Sequence, residues 1–216
     1  LNYELYENDK KVDTKGDYLL SPKDLNTLEY IPELIESGIS SFKIEGRLKR
    51  PEYVALVTSL YRKAIDNYYD GKKEIVSEAD VNELKKIFNR GFTKGYLYGD
   101  KGYNLINPHR PNHIGIEIGK VINVNKDKIT IKLSQDINQG DGVRIIGKVD
   151  TGFVLNKIYK QGLLVNSANS GDVIEVDNNY YVIKDSVVLK TTDIEQLNRL
   201  QQTYKKDLKR VLINGK

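Results

Sequence analysis

The sequence predicts an α/β segment followed by a small all-β barrel and a closing helix. Three observations carry this. Residues 20–71 read helix, strand, helix, a fragment of a repeating β/α architecture. After Ile114 the texture changes to short β-rich runs at regular spacing, each bounded by turn signals. Asp193–Leu208 then returns to helical spacing, with Ile194, Leu197, Leu200, Tyr204 and Leu208 on one amphipathic face.

Leu1–Leu20 alternates around the polar stretch NDKKVDTKGD and reads as a short strand or hairpin. Ser21-Pro22-Lys23-Asp24 reads as a helix start, with Ser21 as N-cap, Pro22 in the first turn and an acid three residues on. Leu25, Leu28, Ile31, Leu34 and Ile35 continue at helical spacing, Pro32 forces a break or kink, and Ser37-Gly38 ends the segment. Ser41–Arg47 reads as a buried strand, because Phe42 and Ile44 alternate with Lys43 and Glu45. Pro51 suits the first position of a helix over 51–70, with Val54, Val57, Leu60, Tyr61, Ala64, Ile65 and Tyr68 as its apolar stripe and Gly71 as its stop. Ser77–Phe88 is a second capped helix, with Asp80 at N3. Asn89–Asp100 is rich in Gly and aromatics and reads as irregular; Pro108 and Pro111 mark a linker over 104–113.

The β-rich runs are Ile114–Asn123, Lys128–Leu133, Gly142–Ile146, Phe153–Ile158, Leu163–Val165, Val173–Val176, Tyr180–Ile183 and Val187–Leu189. Together they suggest an antiparallel barrel of roughly 75 residues. INQGDGVRI and ANSGDVIEV form a weak internal echo, each a Gly-Asp turn leading into a strand. The expected division is 1–75 for the β/α units, 76–104 for a helical connector, 105–190 for the barrel and 191–216 for the terminal helix and the start of a further segment. An eight-fold barrel needs about 250 residues, so 1–75 is expected to be an incomplete one.

At 216 residues, 39% hydrophobic and 30% charged, the chain is sized for one or two globular domains. A net charge of +4 permits a polyanionic partner without requiring one. No apolar run approaches the roughly 20 residues of a membrane span, and Leu1–Lys15 is too polar for a signal peptide, so a cytoplasmic protein without membrane contact is expected. The absence of cysteine excludes disulfides and thiolate metal sites within this chain. Methionine is also absent and the chain starts at Leu1, while Val211-Leu212-Ile213 is a β-like run meeting Asn214-Gly215-Lys216; a piece of a longer protein is expected.

Lys43, Glu45 and Arg47 share one strand parity. Functionally, Lys43 and Glu45 would line a barrel mouth as catalytic groups and Arg47 would clamp a carboxylate or phosphate. Structurally, Lys43 and Glu45 would merely neutralise each other. Asp24 and Glu45 are the candidate acid/base carboxylates, with Asp24 also a candidate ligand contact. His109 and His113 bracket Pro111, which forbids the helical spacing a metal pair would use, so a surface linker is expected and no metal site. There is no phosphate-binding glycine loop and no nucleophile triad. For RNA, the barrel offers Lys120, Lys128, Lys132 and Arg144, with Lys126, Lys148, Lys157 and Lys160 nearby and Phe153, Tyr159 and Tyr180 for stacking. Interleaved acids leave a purely structural barrel as the other reading.

The run YLLSPKDLNTLEYIPELIESGISSFKIEGRLKRPEYVALV, Tyr18–Val57, resembles the collagenase-like peptidase family U32, as does NRGFTKGYLYG at Asn89–Gly99. The resemblance implies a TIM-like barrel followed by a β-barrel similar to the second domain of translation elongation factors. It implies either collagen degradation or hydroxylation of 23S ribosomal RNA or tRNA; the hydroxylating members are linked to prephenate and an iron–sulfur cluster, and related members hydroxylate ubiquinone precursors. Cluster-bearing members carry cysteines upstream and one in the SPKDL segment, where this chain has Asn26. The expectation is therefore part of an RNA hydroxylation factor, with a collagenase-like protease or a non-catalytic RNA- or protein-binding module as alternatives. RNA, a collagen-like protein or a second copy meeting the incomplete barrel are the expected partners. The cluster and prephenate belong to the parent, and this portion alone should be inactive.

Overall fold

The computed structural model describes residues 3–205. Its N-terminal part opens with a hairpin of β1 (Leu5–Glu7) and β2 (Lys10–Val12), whose two-residue turn puts Asn8 and Asp9 at positive φ, as hairpin twist requires. The helix start expected at Ser21–Asp24 is not formed. Pro22 bridges Ile106, and β3 (Asp24–Leu25) pairs in parallel with β4 (Phe92–Thr93). The physical reason is a distant ladder partner: Gly91 and Thr93 carbonyls accept the Asp24 and Asn26 N–H groups, which local capping propensity cannot outbid. A single 3-10 turn at Leu28–Tyr30 leads into α1 (Ile31–Glu36). Pro32 lies in the first turn of α1, where its missing N–H costs nothing, so it starts a helix rather than breaking one.

Residues 40–45 run extended but join no strand ladder among the described residues. Phe42 and Ile44 pack toward the helices and Lys43 and Glu45 point away, so the predicted alternation is present while the predicted burial is not. α2 (Pro51–Tyr69) places Leu56, Val57, Leu60 and Ala64 inside, and Val54 of the expected stripe is exposed. α3 (Glu78–Ile87) begins with the predicted capping box: the Ser77 hydroxyl accepts from the Asp80 N–H and the Asp80 carboxylate from the Ser77 N–H. Leu28, Ile31, the α2 stripe and Leu84 of α3 form one core.

The second part is an antiparallel eight-stranded sheet. Its strands are β5 (Ile116–Val124), β6 (Lys128–Leu133), β8 (Gly142–Ile145), β9 (Thr151–Val154), β10 (Ile158–Lys160), β11 (Leu163–Val165), β13 (Val173–Asp177) and β14 (Val187–Thr192). They lie in the order β11-β10-β13-β6-β5-β14-β8-β9, while β7 (Ile137–Asn138) and β12 (Ser167–Ala168) form a separate small pair. Ile129, Ile131 and Leu133 point inward and alternate with Lys128, Thr130 and Lys132. The sheet curls round this core as a half-barrel with free edges at β11 and β9 rather than closing.

Two expected strands differ. Phe153–Ile158 is split, because Leu155 turns into the core and its N–H bonds the Asp141 carbonyl across a corner. Tyr180–Ile183 forms no strand; Tyr180 stacks on Phe153 instead, at 4.9 Å. α4 (Ile194–Gln201) follows, capped by Asp193. Its Leu200 inserts into the core of the helical part, joining the two halves. Leu208 of the predicted helix and the Val211–Ile213 run lie outside the described residues.

Candidate functional site

The strand-like segment holding Lys43, Glu45 and Arg47 is positioned by Phe42 and Ile44, which anchor it to α1 and α2. Lys43 and Glu45 form an ion pair at 3.9 Å with side chains 89% and 70% exposed. That corrects the expected buried pair: no wall faces them among the described residues, and an ion pair this exposed contributes little. Arg47 is exposed and makes no ion pair among the described residues. Asp24 is not beside them as a free carboxylate. Its Oδ1 accepts from Arg90 Nη2 at 2.8 Å and Nε at 3.2 Å, and its Oδ2 from the Arg90 N–H at 2.8 Å. These three bonds, two from the guanidinium to one oxygen and one from the backbone to the other, hold the β3–β4 corner together.

The turn after Arg47 builds a cavity that the sequence reading missed. Leu48 sits at φ 61 with its side chain 96% exposed, a conformation that branched residues seldom adopt. The turn, closed by the Lys49 N–H on the Gly46 carbonyl, delivers Lys49 and Arg50 to the N-terminus of α2. Lys49 Nζ lies 2.9 Å from the ring centroid of Phe88, and Arg90 approaches the same ring at 5.8 Å. Tyr53 meets Phe88 edge-on at 6.4 Å. The opening, about 290 Å³, is lined by the 48–53 turn, the end of α3, His113, the end of β14 and the first turn of α4. Burial depresses the Lys49 pKa, only partly offset by the carboxylate of Asp24.

His113 belongs to this wall, not to a surface linker. Its ring stacks on Phe88 at 5.4 Å, and Nδ1 accepts the Asn89 N–H at 2.9 Å. Burial lowers its pKa, against a pull from nearby backbone carbonyls, and its Nε2 is buried without a hydrogen-bond partner among the described residues. What hid this site is its make-up: an α2 turn, an α3 end and a linker histidine that only tertiary packing brings together.

The four barrel cations divide. Lys120 and Lys132 are directly opposite on β5 and β6, exposed on the outer face, and neither has an ion-pair partner among the described residues. Lys128 is bound to Asp177 at 2.7 Å and lies over the Tyr159 ring at 3.3 Å. Arg144 is half-buried and donates to the His113 carbonyl at 2.9 Å, so it fastens the linker rather than facing solvent. Phe153 and Tyr180 are stacked on each other, with ring centroids 4.9 Å apart and Tyr180 exposed.

Residues 1–107 match Peptidase family U32. An uncharacterized protease of Methanocaldococcus jannaschii is 38% identical over 179 residues, covering 78% of this chain and 43% of that protein. tRNA hydroxylation protein P1 of Bacillus subtilis is 36% identical over 157 residues, covering 68% and 37%. A collagenase of Porphyromonas gingivalis is 30% identical over 164 residues, covering 72% and 45%. The matches thus span under half the length of these relatives.

Proposed function

The chain belongs to peptidase family U32, and on that footing we propose that it is a portion of an RNA-hydroxylating protein, whose half-barrel holds RNA beside an incomplete TIM-like β/α barrel. The observation that carries the RNA part is the Lys120–Lys132 pair. Like charges directly opposite on neighbouring strands are unfavourable by themselves, and a phosphate backbone lying across them reverses the sign. The similarity to a tRNA hydroxylation protein supports the same reading.

In this reading the extended segment 40–45 is a barrel strand, and strands from the rest of the protein cover Lys43 and Glu45. Arg47 holds the carboxylate of prephenate by two hydrogen bonds. The iron–sulfur cluster of the hydroxylating members finds no ligand here: the chain has no cysteine, and Asn26 Oδ1 instead accepts the Leu28 N–H at 3.0 Å. These residues do not fit a cluster.

RNA binding tests the reading directly. Its affinity should fall linearly on a logarithmic salt scale, and Lys120→Gln with Lys132→Gln should shrink that slope by about 1.5. A slope equal to wild type in the double variant overturns the RNA face. In the full-length protein, Arg47→Ala should abolish hydroxylation while leaving RNA affinity unchanged. The second reading is a collagenase-like protease, favoured by the collagenase similarity; gelatin cleavage by the full-length protein that survives loss of RNA binding would select it.

A further inference from the structure

The cavity beside the Leu48 turn is separate from the Lys120–Lys132 face, and Arg47 does not line it. Its walls carry Lys49, Arg50 and Lys86 against one carboxylate, Asp193. Lys86 is already shared between Glu83 at 3.2 Å and Asp193 at 3.7 Å. Lys49 and Arg50 have no ion-pair partner among the described residues. A partly desolvated ammonium with no ion-pair partner and only the more distant Asp24 carboxylate to offset it is costly, and a ring face replaces only part of a counter-ion. The 19-residue helix α2 starts at the same place, and its N-cap, Arg50, makes no side-chain cap bond. Its positive end adds to the same field, part of which the buried Glu52 carboxylate in the first turn takes up. Tyr53 supplies a half-buried phenol from the next turn of the wall.

We infer that this cavity binds a small organic oxyanion, carboxylate or phosphate, held by Lys49 and Arg50 at the start of α2. The volume of about 290 Å³ suits a small metabolite rather than a polymer. The ligand would touch the α2 turn, the end of α3 and the β14–α4 junction together, and so lock the helical part onto the half-barrel. The inference stands on these side chains and does not depend on the RNA-hydroxylation reading.

Isothermal titration of the 216-residue chain with inorganic phosphate and, separately, malonate tests it. Saturable binding of either anion, accompanied by a rise in melting temperature, is expected. Preference for phosphate assigns a phosphorylated ligand; preference for malonate assigns a carboxylic acid. Lys49→Gln and Arg50→Gln should each weaken binding at least about tenfold. Lys184→Gln, an exposed charge outside the cavity, should not. Should one cavity variant fail to fold, as its unliganded melting curve will tell, the other decides. Absence of saturable binding by both anions, or binding unchanged in a folded cavity variant, overturns the inference. RNA affinity measured on the same variants should stay at wild type, so failure here and failure of the RNA face are read separately.

Discussion

Lys190 is 5% exposed, and its ammonium meets Asp141, itself fully buried, at 3.0 Å and Asp193 at 3.3 Å. Asp141 also accepts the N–H groups of Asn138 and Ile194, so one carboxylate fixes the β7 corner and the start of α4. Removing it leaves the buried Lys190 ammonium with Asp193 as its one remaining ion-pair partner among the described residues and takes the acceptor from two backbone N–H groups. Asp141→Ala should cost about 3–5 kcal/mol in denaturant unfolding, whereas Lys43→Ala, in an exposed pair, should change stability by less than about 0.5 kcal/mol. Asp193 adds a pH dependence. Burial works to raise its pKa, but the Gln196 N–H, Lys190 and Lys86 outweigh burial and hold it below the usual aspartate value. A carboxylate lowered in the folded state contributes stability above its unfolded pKa and loses it as pH falls. Acid titration should therefore show stability declining below about pH 4, less steeply in Asp193→Asn. None of these partnerships was readable from spacing. Asp141 lies in a Gly-Asp turn and Lys190 follows a β run, and nothing local marks either as buried.

At the scale of elements, local signals worked where the element carries its own hydrogen bonds. The α2 range was predicted to within a residue because Pro51 and Gly71 bound it, and the α3 capping box was read directly from Ser77 and Asp80. Ser77→Ala should cost about 1 kcal/mol, measured by thermal or urea unfolding. Signals failed where a partner from far along the chain decides. Ser21–Asp24 has the composition of a helix start, yet the Gly91–Thr93 backbone takes it into a ladder. Close strand approach leaves a mark only as glycine. At Gly115, φ is +85 and a Cβ would fall 2.2 Å from the Lys190 carbonyl oxygen, so Gly115→Ala should destabilise strongly and loosen β14 from β5. Loss of amide protection at Val188 relative to Ile131 would report it, and wild-type protection at both would refute it.

Across the whole molecule, α4 is the join. Its Gln196 and Arg199 bond Glu83 of α3, Gln201 bonds Glu52 of α2 at 3.0 Å, and Leu200 enters the helical core. The helical part and the half-barrel should consequently unfold together. Leu200→Ala should cost about 2–5 kcal/mol and separate the two transitions when helix and sheet signals are followed independently. Sequence alone determined the helical stripes, the alternating strands of the half-barrel and the family, because these rest on periodicities and motifs contained in short contiguous runs. Tertiary structure decided that Lys43 and Glu45 are exposed, that Asp24 is held by Arg90, and that His113 and Lys49 meet over Phe88. Those outcomes depend on which distant side chain arrives to exclude water or offer the opposite charge, and spacing along the chain does not encode that.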